Sequence, residues 1–128
     1  MRNVMLVFLG GGLGSVLRYL TVVGMLRVTG RTAFPYGVLV ANVLGSFVLG
    51  FLFALPAMKS KDTATWMFLA TGVMGGYTTF STLANDSWVL FGNHHSWLAL
   101  LNAVGSITLG FMAAGLGWAA ARWVAGEP

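Results

Sequence analysis

Cysteine is absent from the chain. That removes disulfides, thiolate nucleophiles and cysteine metal sites from consideration. Charge is scarce as well: Asp, Glu, Lys and Arg make up only 8% of 128 residues. A soluble domain needs polar side chains to cover its surface, and too few are present. The only acids are Asp62, Asp86 and Glu127. Seven Lys and Arg residues give a formal net charge of +4, but they are scattered and form no stripe suited to nucleic acid. No nucleic-acid partner is expected.

What the chain does have is apolar length. Hydrophobic residues make up 57% of it, and its mean hydropathy is +0.81. Four apolar segments emerge, at about 3–27, 35–58, 64–91 and 97–124. Each exceeds about 18 residues and so can cross a bilayer core of roughly 30 Å. The opening Met1-Arg2 and its apolar run superficially resemble a signal peptide. However, Gly10-Gly11-Gly12 and Gly14 interrupt the run, no A-x-A-type cleavage site follows, and it leads directly to Arg18. It reads as a retained first helix. The connections are Arg27 to Pro35, Pro56 with Lys59-Ser60-Lys61-Asp62, and Gly92-Asn93-His94-His95-Ser96. Links this short make neighbouring helices antiparallel. The expectation is one all-α integral membrane domain over residues 1–128, with four transmembrane helices and the lipid bilayer as its solvent.

Loop charge does not choose an orientation. The N-terminus, second loop and C-terminus share a side and carry Arg2, Lys59, Lys61 and Arg122. The opposite side has Arg27, Arg31 and, if it lies near a helix end, Arg18. The positive-inside rule finds almost no bias in that distribution. Such a chain can insert both ways and pair with its inverted twin; a weakly determined single topology is the other reading.

Small residues recur four apart at Gly10 and Gly14, Ser46 and Gly50, Gly72 and Gly76, and Ser106 and Gly110. This spacing puts two small residues on one helix face and lets backbones approach closely. A nucleotide-binding reading of the early glycines fails, because Ser15 stands where G-x-G-x-x-G needs glycine and no strand precedes it.

Polar residues inside the apolar segments carry the functional signal, because burying them in hydrocarbon is costly. Asn42 and Ser46 share a face of the second segment, and Asn102 and Ser106 repeat the arrangement on the fourth. The third segment holds Gly72-Val-Met-Gly75-Gly76-Tyr77-Thr78-Thr79-Phe80-Ser81-Thr82-Leu83. Adjacent glycines each weaken a helix by about 1 kcal/mol relative to alanine, and hydroxyls can replace backbone partners lost at a break. A discontinuous third helix is therefore expected, its carbonyl end favouring a cation and its amide end an anion. An intact helix using Ser and Thr for interhelical bonds is the competing reading. Phe80 and Leu83 share a face beyond the break, and an aromatic edge can favour an anion without trapping it. A path lined by Asn42, Phe80, Ser81, Thr82 and Ser106 suits a small anion, although composition alone does not name it.

The strings that carry a resemblance are Gly11-Gly12-Leu13-Gly14-Ser15 with Arg18-Tyr19, Gly37 to Phe47 around Asn42, Gly75 to Thr82, and Asn102 through Ser106 to Gly110. In these strings and their order the chain resembles the Fluc (CrcB-like) fluoride channel family over nearly its whole length. The resemblance implies an antiparallel, dual-topology homodimer in a bacterial inner membrane. It also implies passive export of fluoride through two pores at the dimer interface. A static structural sodium ion (Na+) would be held by the carbonyls of Gly75 and Thr78 from both subunits. Phe80 matches the pore phenylalanine, Asn42 the pore asparagine, and Ser81 and Thr82 the hydroxyl track. Arg18 would raise the potential near a pore entrance. Asp86 stands where an acidic residue is usual. Leu83 departs from the pattern, standing where the family has a second pore phenylalanine; it keeps the bulk but lacks the electropositive edge.

The rival reading is a small four-helix, proton-coupled multidrug-type exporter. That chemistry needs a carboxylate deep in the membrane, and Asp86 is the only acid within a span, close to its end. An enzyme finds no support: the adjacent His94 and His95 would diverge on a helix, and no nearby ligands complete a metal site.

Overall fold

A computed structural model describes residues 1–58, 60 and 63–126. Lys59, Lys61 and Asp62 of the second loop, and Glu127, lie outside the described residues. The described structure is all helical. Helix α1 spans Arg2–Thr29 and α2 spans Tyr36–Ala54, followed by a 3₁₀ turn at Pro56–Met58. The third membrane segment comes in two pieces. The first, α3 (64–77), comprises Ala64–Trp66, a π-helical stretch Met67–Met74 and a last turn Gly75–Tyr77. The second, α4, spans Phe80–Gly92, and α5 completes the fold at Ser96–Ala125.

Length and polarity follow from the apolar runs. At 1.5 Å per residue, α1, α2 and α5 measure about 42, 29 and 45 Å, enough to cross a bilayer core. These three are long and apolar enough to span a membrane; neither α3 nor α4 reaches that length alone, because the segment they share is interrupted. Exposed apolar side chains such as Phe8, Leu20, Ile107 and Leu116 cover the outside. In water such a surface would be a liability, but in lipid it is the expected one.

Close backbone approach holds the helices together, and it occurs where small residues recur. Helix α1 packs on α3: the Cα of Gly72 comes within 3.0 Å of where a side chain on Gly10 would begin, and a Cβ on Gly14 would collide with the carbonyl oxygen of Val73. Helix α2 packs on α5, where Gly117 meets the Phe47 carbonyl, Gly50 the Ala114 carbonyl and Gly110 the Ser46 hydroxyl. With no hydrophobic driving force between helices in lipid, this proximity supplies the dispersion contacts that bind them. A polar bond reinforces the first pair: the Thr21 hydroxyl donates to the Leu17 carbonyl at 3.0 Å and accepts from the Tyr77 hydroxyl at 3.0 Å.

The interruption falls at Thr78 and Thr79, both extended, at φ −85°, ψ 156° and φ −153°, ψ 117°. It lies just after the adjacent glycines, where helix propensity is lowest. The π-helical stretch before it was not foreseen. Its wider turn ends on Gly75, whose N–H bonds to the carbonyls of Ala70 and Gly72, and it re-aims the residues entering the break.

Candidate functional site: a helix break between two cavities

Two side chains consume the backbone groups that the break sets free. In a continuous helix the Thr79 N–H would bond to the Gly75 carbonyl, and the Thr82 N–H to that of Thr78. Here the Thr79 N–H donates to Asn42 Oδ1 at 2.8 Å, while Asn42 Nδ2 donates back to the Thr79 carbonyl at 3.0 Å. The amide of α2 thus stands in for a peptide group. The Thr82 N–H donates to Thr79 Oγ1 at 3.2 Å, so Thr79 caps α4. The helical donors of two carbonyls, Gly75 and Thr78, have therefore been diverted to side chains.

The Thr78 carbonyl finds a partner on α1: Arg18 Nη1 donates to it at 3.3 Å. A cation at the carbonyl end of α3 complements the partial negative charge there. Arg18 lies midway along α1, at the level of the break, so it counts with neither loop. That leaves Arg2, Lys59, Lys61 and Arg122 on one side and Arg27 and Arg31 on the other. The hard oxygen of Thr78 keeps a second lone pair, and a Cβ built on Gly75 would meet nothing within 4 Å. Carbonyl oxygens of this kind fit an oxygen-seeking alkali cation, which takes more oxygens than these two.

Two cavities flank the break. One, of about 400 Å³, is a groove lined by Asn42, Ser46, Leu49, Thr78, Thr79, Phe80, Leu83, Ser106, Ile107, Gly110 and Phe111. None of these residues carries a charge. The other, of about 480 Å³, is lined by Ser15, Arg18, Tyr19, Thr82 and Asp86 together with residues of the α1–α2 connection. A hydroxyl pair links their walls: Thr79 lines the groove, Thr82 lines the charged cavity, and Thr79 Oγ1 donates to Thr82 Oγ1 at 3.0 Å. Ser81 Oγ lies 3.2 Å from Thr79 Oγ1, extending the row.

The residues singled out from sequence divide accordingly. Asn42, Phe80, Leu83 and Ser106 share the groove, Arg18 and Thr82 line the charged cavity, and Ser81 joins them through Thr79. Phe80 is 76% exposed and Leu83 only 6%. Their equal-looking positions therefore differ: the ring stands at the open side of the groove, and leucine closes its floor. Four features were not anticipated: Asn42 holding the backbone of Thr79, Phe111 in the groove, Asp86 sharing a cavity with Arg18, and Ser87 bonded to Asn102. Ser87 was findable, since it follows Leu83 by one helical turn. Contacts between helices leave no comparable trace in sequence.

A multi-pass helical membrane protein with a broken helix between a charged cavity and an uncharged polar groove is the class that fold and site define. Residues 5–118 match the family described as CrcB-like protein, Camphor Resistance (CrcB), and the chain belongs to that family. A relative from Shewanella halifaxensis is 44% identical over 81% of this chain and 83% of its own length. One from Chlorobium chlorochromatii is 41% identical over 97% of this chain and 95% of its own length. Both relatives bear the name fluoride-specific ion channel FluC.

Asn42→Leu removes both bonds to Thr79 while keeping the bulk. A buried polar group left without its partner costs about 1–3 kcal/mol, so with two such groups the variant is expected to lose about 2–6 kcal/mol of stability, read as a lower melting temperature in detergent. An unchanged melting temperature would show that the break does not depend on Asn42.

Proposed function

We propose that this chain is a subunit of a passive, fluoride-selective channel that lets fluoride leave the cytoplasm of a bacterial cell across the inner membrane. The observation that carries the reading is the Thr79–Thr82 hydroxyl pair, at the amide end of α4, which links the wall of the charged cavity to that of the uncharged groove. The names of the relatives supply the identity of the ion.

The chemistry follows from the lining. Fluoride is small and strongly hydrated, so a narrow path must replace lost water without trapping the ion. Arg18 raises the potential in the charged cavity; Ser81 donates to Thr79 and Thr79 to Thr82, which leaves the Thr82 hydroxyl hydrogen free as the donor at the break. In the groove, Ser106, the unspent Nδ2 hydrogen of Asn42 and the electropositive edge of Phe80 take over. The groove contains no fixed charge that would hold an anion. The membrane potential, worth about 2.3 kcal/mol per charge per 100 mV, drives the anion outward. No catalytic group is needed. A proton-coupled exporter is not favoured, because the groove lacks a carboxylate to exchange protons.

The assembly proposed is an antiparallel homodimer with dual topology and two pores. Support comes from a loop-charge count of four basic residues against two, a bias of only two charges, and from a groove left open on one side at the exposed Phe80 and Phe111 rings. A sodium ion at the dimer centre would be held by the Gly75 and Thr78 carbonyls of both subunits. Bound there, it would supply positive charge that balances converging carbonyl dipoles, and it would not be transported.

Three measurements test this reading. Liposomes reconstituted with the protein are expected to release fluoride, retain chloride and need no proton gradient. Phe80→Ile, which removes the aromatic edge, is expected to slow release about tenfold, equivalent to about 1.4 kcal/mol. Folded protein that retains fluoride would sink the channel. For topology, Asn93→Cys gives the cysteine-free chain one reporter in the α4–α5 turn. An impermeant thiol reagent is expected to label about half of it from outside cells if both orientations are equal, and labelling of all or none would exclude dual topology. For the cation, exchanging sodium for N-methylglucamine is expected to lower the melting temperature of the dimer, since a ligand bound only to the folded state stabilises it. Identical melting in both salts would argue against a sodium site.

A further inference from the structure

Two buried polar atoms on one face of α5 have no hydrogen-bond partner among the described residues: Asn102 Oδ1 and Ser106 Oγ. Asn102 is fully buried and Ser106 is 3% exposed. They are four residues apart, one turn along the same face. A buried carbonyl or hydroxyl without a partner forfeits its hydration, so native structures satisfy such groups with protein or ordered water.

The orientation of the Asn102 amide is set by its other neighbours. Ser87 Oγ donates its only hydrogen to the Leu83 carbonyl at 2.8 Å. What remains facing Asn102 are acceptors: Ser87 Oγ at 3.0 Å and the Leu83 carbonyl at 3.5 Å. Two acceptors require the NH2 end of the amide. Asn102 Oδ1 is therefore at the other end of the planar amide, away from Ser87.

We propose that Asn102 is a positioning residue that makes Ser106 a hydrogen-bond donor toward the groove, acting through one water held between Asn102 Oδ1 and Ser106 Oγ. The water gives one hydrogen to Oδ1, which can only accept, and its other hydrogen to Ser106 Oγ. The hydroxyl hydrogen of Ser106 is then turned away from the water, toward the groove that Ser106 lines with Phe80 and Leu83. An amide fixed by α4 thus gives a hydroxyl on α5 the polarity that an anion needs and a cation does not. This rests on the channel reading and deepens it, adding a residue that selects the sign of the ion without touching it.

A double-mutant cycle with Asn102→Leu and Ser106→Ala, read as fluoride efflux from liposomes, tests the coupling. If Asn102 acts through Ser106, each single variant slows efflux about tenfold and the double variant is no slower than the slower single. Asn102→Leu also shifts the reversal potential toward that of potassium, because selection against cations weakens. Independent losses, about a hundredfold in the double variant, would overturn the proposal. A crystal structure of the wild-type protein gives a readout that needs neither variant to fold. Density for one water within hydrogen-bond distance of both atoms supports the proposal, and its absence from well-ordered density overturns it. Wild-type protein that releases no fluoride would sink the channel reading and the donor role together. Active wild type with independent losses sinks only the role of Asn102.

Discussion

The structure depends on one exchange of hydrogen bonds: the backbone of Thr79 leaves its helix and pairs with the side-chain amide of Asn42. Within a bilayer, freed peptide groups cost several kcal/mol each unless something nearby replaces the lost partner. Asn42 replaces it from both ends at once, and Thr79 supplies the next replacement by capping α4. Only with these two in place can a polar interruption persist inside an otherwise apolar helix. Arg18 is drawn to the same point by the carbonyl end of α3, which also offsets part of the cost of placing a guanidinium at that depth.

The two cavities and the hydroxyl row lie around that exchange. Extended backbone at Thr78 and Thr79 separates α3 from α4, so a carbonyl end and an amide end lie at nearly the same level. The first suits cations and the second anions. The hydrogen-bonded hydroxyls of Ser81, Thr79 and Thr82 link the wall of a cavity lined by Arg18 and Asp86 to that of a groove that has no charge. A path whose donors are hydroxyls, an amide hydrogen and a ring edge can strip water from an anion in small steps. Permanent charge stays out of the groove, where it would act as a trap.

Much of the architecture was legible in the sequence because lipid imposes a simple rule: apolar length makes a span. The four runs, the short links and the weakness at Gly75-Gly76 could all be read this way. Small residues four apart correctly marked where α1 meets α3 and α2 meets α5. Depth and pairing were not legible. Arg18 could have been an end residue by sequence alone; only the fold shows it bonded to Thr78, sixty positions away. Asn42 was noticed as a polar residue on a helical face, but its commitment to Thr79 depends on how α2 leans against the break. Nor does any residue pattern distinguish exposed Phe80 from buried Leu83 on one short face. The π-helical stretch was hidden because Met67–Met74 has an ordinary apolar composition.

Current through the purified protein in a planar bilayer, with fluoride on one side and chloride on the other, tests the central claim most directly. The account predicts a steady passive current whose reversal potential follows the fluoride gradient and ignores the proton gradient. A silent bilayer containing folded protein, equal permeability to chloride, or a current that follows pH would contradict it.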